Sequence, residues 1–346
     1  MKKILFMAVS MFALISAVSC QKESRSGADG ELVTVTLTVQ APALESTKAL
    51  GDGLKATNLV FGVFDKDGNE LENLRQGDWM NSRFNAQTKS EIVFDQVVDG
   101  YPTTNVKVNL VKGKVYTFIC WAQAKEYGEA ASPVAVECYD FNKLDAIKVD
   151  YTVNNEANNE HRDAFYACVN SGKIKEGHTQ KIELRRPFSQ LNIGSDDLDE
   201  AAKAGLDLSK IHVDLSITEC PTILKADMEN EAYTIDGPTT TTFTKALSPA
   251  SANRAEKLMM KIDEKETAYD WISVNYILAS MTKDDELKKV SFNLHEDDLQ
   301  LVSYTKDNVS VKANWRTNLI GRLFTTDSEI TIVIDPIFLG EYVVSK

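Results

Sequence analysis

The sequence is poor in the residues and motifs that enzymes and metal sites ordinarily use. Its 346 residues include only four histidines and five cysteines. No two cysteines have C-x-x-C spacing, and there is no G-x-S-x-G, no phosphate-binding glycine loop and no H-E-x-x-H. The four histidines lie far apart in the chain: His161, His178, His212 and His295. We therefore predict no catalytic, cofactor-binding or metal-ligating residue, and we expect a protein that acts through contacts rather than as an enzyme.

Positive charge and long apolar runs are also scarce. Lys and Arg number 38 against 51 Asp and Glu, which gives a formal net charge of −13. Binding to nucleic acid depends on the neutralisation of phosphates by basic residues, so this balance argues against a nucleic-acid partner. A hydrophobic content of 43%, with 8 prolines and 17 glycines, indicates a packed chain rather than a disordered one.

The one long uncharged run lies at the N-terminus and ends at a cysteine. Lys2 and Lys3 precede this run, which covers residues 4–19. The run is shorter than the stretch of about 20 residues that a membrane-spanning helix needs. The small residues before Cys20 resemble a lipobox, although Ala17 stands where a leucine-like residue is usual. This pattern predicts a lipoprotein signal peptide and acylation of Cys20, which would anchor the chain in a membrane. An ordinary cleaved signal, which also requires small residues before the cut, stays open.

The other four cysteines, Cys120, Cys138, Cys168 and Cys220, are widely spaced. Four cysteines allow three disulfide connectivities, so the sequence leaves their pairing open. We favour free thiols, because a core of this size does not need a disulfide and Cys120 shares a strand face with Tyr116 and Phe118.

Alternation of apolar and polar residues dominates the rest of the chain. It is clearest in "LVTVTLTV", residues 32–39, and many similar short segments follow. Asp67-Gly68 predicts a hairpin turn between two apolar runs. One helix is predicted over "SDDLDEAAKAG", with Ser195 as its N-cap and Gly205 as its stop. The pattern favours an all-β sandwich fold.

The length of the chain allows two domains. We divide it into a signal peptide (1–19), a polar tether (20–31), an N-terminal β-sandwich (32–182) and a C-terminal β-sandwich (183–346). Two acidic runs, "DDLDE" from Asp196 and "EDD" from Glu296, are expected to be solvated, the first at a helix start and the second at a hairpin tip.

Several segments, in order, resemble the fimbrillin family, the subunits of type V pili and related adhesin lipoproteins of anaerobic Gram-negative bacteria. The segments with the most specific similarity are "RRPFSQLNIGSDDLDEA" and "NWRTNLIGRLFTTDSEITIVIDPIF". Further similar segments are "ALGDGLKATNLVFGVFDKDGNEL", "YTFICWAQ", "IKVDYT", "RDAFYACV" and "NYILAS".

The resemblance implies an all-β fold of two tandem transthyretin-like β-sandwich domains, with a short helix in the second. It also implies a surface lipoprotein of the outer membrane or fimbrium, whose partners are other fimbrial subunits or host and bacterial surface ligands. In that family a protease removes the first strand, and a strand near the C-terminus of the adjoining subunit fills the groove.

Transfer of this mechanism depends on where the chain is cut. The best-known pilin protease prefers arginine after the first strand, whereas this chain offers Lys48, and Arg25 lies ahead of the strand. Lys48 is therefore the possible processing site. The candidate donor is "EITIVIDPIFLGEYVV", from residue 329, although "EITIVID" also fits the last core strand of the second domain.

Two rival functions remain. A carbohydrate-binding lipoprotein of a glycan-uptake system, which would not polymerise, would use exposed aromatic side chains. Trp79 is the candidate, since Trp121 and Trp271 lie in apolar strands expected to be core, and Trp315 is the fourth tryptophan. The second rival, a hydrolase, requires acid, base or nucleophile groups that meet in one cleft. The sequence contains no motif that indicates such a set.

The lipid anchor can be tested in cells. Metabolic labelling with a fatty-acid analogue should mark the protein, and the Cys20→Ala variant should lose the label because it lacks the acylated sulfur. Label that persists in this variant would contradict the anchor.

Overall fold

The structure is a computed structural model, and the residues that it describes cover most of the chain after the N-terminal segment. These residues are 30–42, 53, 55–77, 91–127, 134–247, 257–262, 265–282, 285–325 and 331–335. Among them, no helix has the length and apolar character needed to cross a membrane.

The first half of the described chain contains twelve strands. Their bounds are β1 Leu32–Gln40, β2 Asn58–Phe64, β3 Ile92–Val93, β4 Gln96–Val98, β5 Tyr101–Val111, β6 Val115–Gln123, β7 Glu126–Tyr127, β8 Val134–Ala135, β9 Tyr139–Asp140, β10 Ala146–Val149, β11 Ala164–Lys173 and β12 Thr179–Glu183. Two short 3-10 helices, Glu72–Leu74 and Glu160–Arg162, lie between them.

The second half of the described chain contains eleven strands and one α-helix. Their bounds are β13 Phe188–Ser195, α1 Leu198–Lys203, β14 Ile211–Cys220, β15 Ile223–Asp227, β16 Ala232–Asp236, β17 Thr239–Ala246, β18 Leu258–Ile262, β19 Lys265–Leu278, β20 Asp285–Glu296, β21 Leu299–Val311, β22 Arg316–Gly321 and β23 Thr331–Asp335. The predicted all-β fold with a short helix in its second half is confirmed.

Two four-stranded sheets enclose the first apolar core. Their strand orders are β12-β1-β5-β4 and β11-β6-β2-β3. The core between them takes side chains from both sheets, among them Leu37, Val108, Phe118 and Phe165. Cys120 belongs to this core with Tyr116 and Phe118, as predicted.

A second apolar core joins the two halves of the chain. It includes the other face of the β11-β6-β2-β3 sheet, through residues such as Trp121 and Tyr166, and the two large sheets of the second half, β18-β19-β13-β22-β23 and β17-β14-β20-β21. Every residue of β2 and of β13 is buried, which explains the nearly unbroken apolar sequence of β2. β13 instead buries polar residues, among them Gln190 and Asn192, between its apolar ones. A further sheet, β16-β15-β10-β9, combines strands from the two halves.

A buried ion pair lies in the "RRPF" segment of the family resemblance. The Nε and one terminal nitrogen of Arg186 donate to the two carboxylate oxygens of Asp163, at 2.6 and 2.7 Å. The guanidinium also lies 5.1 Å from the centre of the Phe165 ring. Burial alone lowers the pKa of Arg186, but the charge and hydrogen bonds of Asp163 outweigh it and raise that pKa. The pair connects the start of β11 to the start of β13.

The start of α1 differs from the prediction. Ser195 is the last residue of β13, and Asp197 occupies the N-cap position. The Asp197 carboxylate accepts hydrogen bonds from the backbone N–H groups of Leu323, Phe324 and Thr325, and from two hydroxyl groups. The expectation that the whole acidic run is solvated is therefore wrong at Asp197, which is buried as an acceptor for the segment after β22. Gly205 follows the helix with a φ of +108°, as its role as the stop requires.

The predicted turn at Asp67-Gly68 is present, but the predicted hairpin is incomplete. Gly68 has a φ of +80°, and its N–H donates to the backbone oxygen of Asp65. Beyond the turn, two isolated bridges join Glu70 to Phe64 and Gln76 to Phe61, and a 3-10 helix lies between them. The buried guanidinium of Arg75 contacts Glu70 and the backbone oxygen of Phe141. Side-chain contacts therefore hold this segment together with the two bridges, and it forms no continuous second strand.

The role of Asp197 predicts a pH dependence of stability. Burial alone would raise the pKa of this carboxyl, but hydrogen bonds from Ser195, Thr325 and the backbone outweigh it, so the pKa is lowered. A lowered pKa means that the stabilisation is complete above the unfolded value of about 4 and is lost as the pH falls through the folded value. We expect Asp197→Asn to reduce the free energy of unfolding at pH 7 by about 1–3 kcal/mol.

Urea unfolding between pH 7 and pH 2 measures this effect. The difference between wild type and Asp197→Asn should shrink below about pH 4, where protonation weakens the same interactions in the wild type. Asp196→Asn, at the exposed neighbouring position, is the matched control and should change stability little. Equal losses in the two variants would contradict the role of Asp197.

Candidate functional site

The first strand occupies an interior position in its sheet. β1 pairs antiparallel with β5 over nine residues, from Leu32 opposite Val111 to Gln40 opposite Thr103. On its other side β1 pairs parallel with β12, from Thr36 with Thr179 to Gln40 with Glu183. The strand that the family resemblance marks for removal therefore lies between two partners.

The two faces of β1 have different roles. Four of its apolar residues, Val33, Val35, Leu37 and Val39, are buried in the first core, whereas Leu32 at its start is exposed. On the outer face, the hydroxyl of Thr34 donates to Asn109 at 2.9 Å and that of Thr38 donates to Asn105 at 3.0 Å. The alternation seen in the sequence is thus the alternation of core and solvent faces.

Without β1, the sheet would open along its length. Within the described residues, β1 is the only sheet neighbour of β12, so its loss would separate β12 from β5. The groove would be lined by buried apolar side chains such as Val106, Val108 and Ile182, and both of its edges would carry unpaired N–H and C=O groups. An extended segment with the same alternation is what such a groove binds.

A small apolar pocket lies where the chain leaves β1. Its lining includes Ala41, Gly53, Phe94 and Phe165. Gly53 has a φ of +73°, and a Cβ at this position would lie 2.7 Å from the Phe165 ring, so glycine is required for this close approach. The predicted cleavage residue, Lys48, belongs to the connection between β1 and β2 but lies outside the described residues.

The other predicted residues fall in different places. Cys20 and Trp79 also lie outside the described part of the chain. Trp121 is buried as expected, whereas Trp271 is half-buried rather than fully core, and Trp315 is half-buried beside Lys312. Among the residues whose burial the structure describes, no aromatic side chain is fully exposed.

The candidate donor segment already has a partner within this chain. Its Thr331–Asp335 portion is β23, which pairs antiparallel with β22. This portion is therefore a strand of the second half's sheet, as the alternative interpretation expected. Residues 336–346 lie outside the described part of the chain.

All four of the internal cysteines are buried and unpaired: Cys120, Cys138, Cys168 and Cys220. Burial raises the pKa of Cys168 to about 11 and that of Cys220 to about 12, so both are protonated thiols at neutral pH. They behave as core residues.

Sequence spacing missed one cluster that the fold assembles. His212 on β14 lies directly opposite His295 on β20, and Asp214 follows two residues along β14. The two imidazole rings stack 4.7 Å apart, and Nε2 of His295 lies 3.5 Å from a carboxylate oxygen of Asp214. In the sequence these residues lie in two short alternating segments, "HVD" (212–214) and "LHE" (294–296). Only the register of the two strands brings the segments together.

The architecture defines an all-β sandwich protein, and several solved structures are similar to it. One is a protein of family DUF1812 from Bacteroides thetaiotaomicron VPI-5482, provisionally described as polysaccharide-binding. It has 13% identity and a TM-score of 0.45, with 87% of this chain and 95% of that chain covered.

Two others are named for fimbriae. A fimbrial assembly protein from Parabacteroides distasonis ATCC 8503 has 12% identity and a TM-score of 0.44, and the similarity covers 89% of this chain and 97% of that one. The fimbrial anchor protein Mfa2 from Porphyromonas gingivalis has 11% identity and a TM-score of 0.38, with 87% and 96% covered. Fimbrial proteins are the class that the sequence resemblance named.

At the level of sequence, the profile of a family described as a family of unknown function, DUF6562, matches residues 27–346. The chain belongs to this family. No protein with a curated description matches it.

The geometry of β1 predicts that shortening a side chain on its buried face lowers the free energy of unfolding more than shortening one on its outer face. Leu37→Ala should lower the free energy of unfolding by about 2–5 kcal/mol, because it leaves a cavity in the first core. Thr36→Ala, the adjacent outward position, should cost less than about 1 kcal/mol. Urea unfolding of both variants measures the difference, and similar losses would contradict the burial of β1.

Proposed function

We propose that this protein is a fimbrillin-like surface lipoprotein, a pilus subunit or cell-adhesion protein that assembles with other subunits by strand exchange. In this proposal Cys20 carries the lipid anchor in the outer membrane, and a cut at Lys48 removes β1 together with the tether. A strand from the C-terminal part of another subunit then fills the groove. The protein acts through protein contacts rather than catalysis.

The position of β1 between β5 and β12 is the single observation that carries this proposal. Each of its four buried side chains contributes roughly 1.5–3 kcal/mol of burial free energy, or about 6–12 kcal/mol together. This amount is comparable with the whole stability of a typical domain, about 5–15 kcal/mol. An emptied groove therefore has a strong drive to bind a replacement strand.

The arrangement of the cores supports the same proposal. The inward side chains of β1 belong only to the first core, whereas the facing sheet β11-β6-β2-β3 also contributes to the second core through its other face. Loss of β1 would leave that second core intact. A scaffold that stays folded with an open groove is what strand exchange requires.

The proposal includes two tandem sandwich domains, residues 32–182 and 183–346. A repeated topology supports it. In the first half, β1 pairs antiparallel with β5 and parallel with the late strand β12. In the second half, β13 pairs antiparallel with β19 and parallel with the late strand β22. The first strand of each half thus has the same kinds of neighbours.

A disulfide that locks β1 in place tests strand exchange. Thr36 and Lys107 are directly opposed on β1 and β5, and opposed Cα atoms in such a ladder lie at about 4.5–5.5 Å, within disulfide range. Thr36→Cys with Lys107→Cys, once oxidised, should hold β1 after the chain is cut at Lys48. We expect no multimers by size exclusion or electron microscopy until a reductant is added.

The matched control is a disulfide in a sheet that does not exchange. Ser216 and Ser291 are directly opposed on β14 and β20, so Ser216→Cys with Ser291→Cys should leave assembly of the cut protein unchanged. Mass spectrometry verifies the cut at Lys48. Multimers of the locked, oxidised protein would contradict strand exchange. Glycan binding by an uncut protein that never assembles would favour the carbohydrate-binding alternative.

A further inference from the structure

We propose that His212, Asp214 and His295 form a binding site for one divalent transition-metal ion of the zinc type. The site lies on the outer face of the β17-β14-β20-β21 sheet, away from β1, and it does not depend on strand exchange. The sequence predicted no metal ligand, because these residues are far apart in the chain.

The strand register provides the geometry. His212 and His295 are directly opposed, and Asp214 lies on the same face of β14 as His212 because it is two residues further along. One donor atom from each of the three side chains can be chosen so that all three lie within 4.8 Å of one another. All three residues are half-buried, so the donor atoms are held by the sheet and stay accessible to an ion.

The chemical type of the donor atoms and the distances between them both suit a zinc ion. Two imidazole nitrogens and one carboxylate oxygen are typical of zinc sites that hold three protein ligands and keep a fourth position open. Metal–ligand distances of about 2.0–2.2 Å place the donor atoms of a tetrahedral site about 3.3–3.6 Å apart. The 3.5 Å between Nε2 of His295 and Oδ2 of Asp214 already has this value. The parallel imidazole rings, 7° apart in plane, need only side-chain rotation to converge.

A second contact orients the carboxylate. The hydroxyl of Thr244, opposite Asp214 on β17, donates to Oδ1 of Asp214 at 2.6 Å. Oδ2, the oxygen nearest to His295, is the one directed toward the ion. Hydrogen bonds that fix a ligating carboxylate in this way are usual around metal sites. The fourth position is open to water or to a donor group from another molecule.

Zinc titration of the complete mature chain tests the site. With Zn²⁺ added against a chromophoric chelator, we expect one ion bound per chain. His212→Ala and His295→Ala should each weaken binding at least about tenfold, and Asp214→Asn should weaken it as well. Thr244→Val should have a smaller effect in the same direction. Co²⁺ in place of Zn²⁺ should show the visible absorption of a tetrahedral site.

His178→Ala is the matched control, because it removes a histidine from a different part of the chain and should leave zinc affinity unchanged. Urea unfolding without metal checks that each variant is folded. Binding that persists in the His212→Ala/His295→Ala double variant would overturn the site. Absence of stoichiometric binding by the wild type would also overturn it, and would leave the cluster as a polar cross-strand pair.

Discussion

The pairing of β1 with β5 and β12 is the constraint on which the first sandwich depends. Within the described chain, β12 is the edge strand of its sheet and pairs with the sheet only through β1. The same strand places four apolar side chains in the first core. One segment therefore closes the sheet and fills the core, although it is the first strand of the described chain. A strand at that position can be released by a single cut.

The second core does not depend on β1, because β1 contributes side chains to the first core only. The sheet that faces β1 is buried on both sides, and its second face belongs to a core that continues into the second half. The Arg186–Asp163 pair adds a buried, bidentate connection between the starts of β11 and β13. Removal of one member of such a pair leaves a buried charge without its bidentate partner, which is costly, so the pair favours this arrangement of the two strands. Asp197 has a similar role at the other end of β13, where it holds the segment that follows β22.

Local sequence patterns predicted the elements that are set by local physics. The alternation in residues 32–39 identified β1, because one face of this strand meets the core and the other meets solvent. Gly68 and Gly205 were recognised because their backbone conformations favour glycine. Ser195 was misassigned as an N-cap because the composition of the segment does not reveal that Asp197 is used by a distant loop.

Features that depend on long-range register were beyond local patterns. β15, the strand that pairs with β10 of the first half, has the sequence "ILKAD", and these five residues are too few to show a clear alternation of apolar and polar positions. The cluster of His212, Asp214 and His295 exists only because β14 and β20 pair in one register. A shift by one residue would move His295 to the opposite face of its sheet. In the proposed strand exchange, the choice of donor segment would depend on contacts between subunits, which the sequence of one chain does not contain.

The most direct test of the central claim is the N-terminal residue of the protein in assembled fibres from the cell surface, measured by mass spectrometry. Strand exchange after processing predicts that subunits within the fibre begin at Ala49, directly after Lys48. Fibres built from subunits that still begin at an acylated Cys20 would retain β1 and would contradict the account.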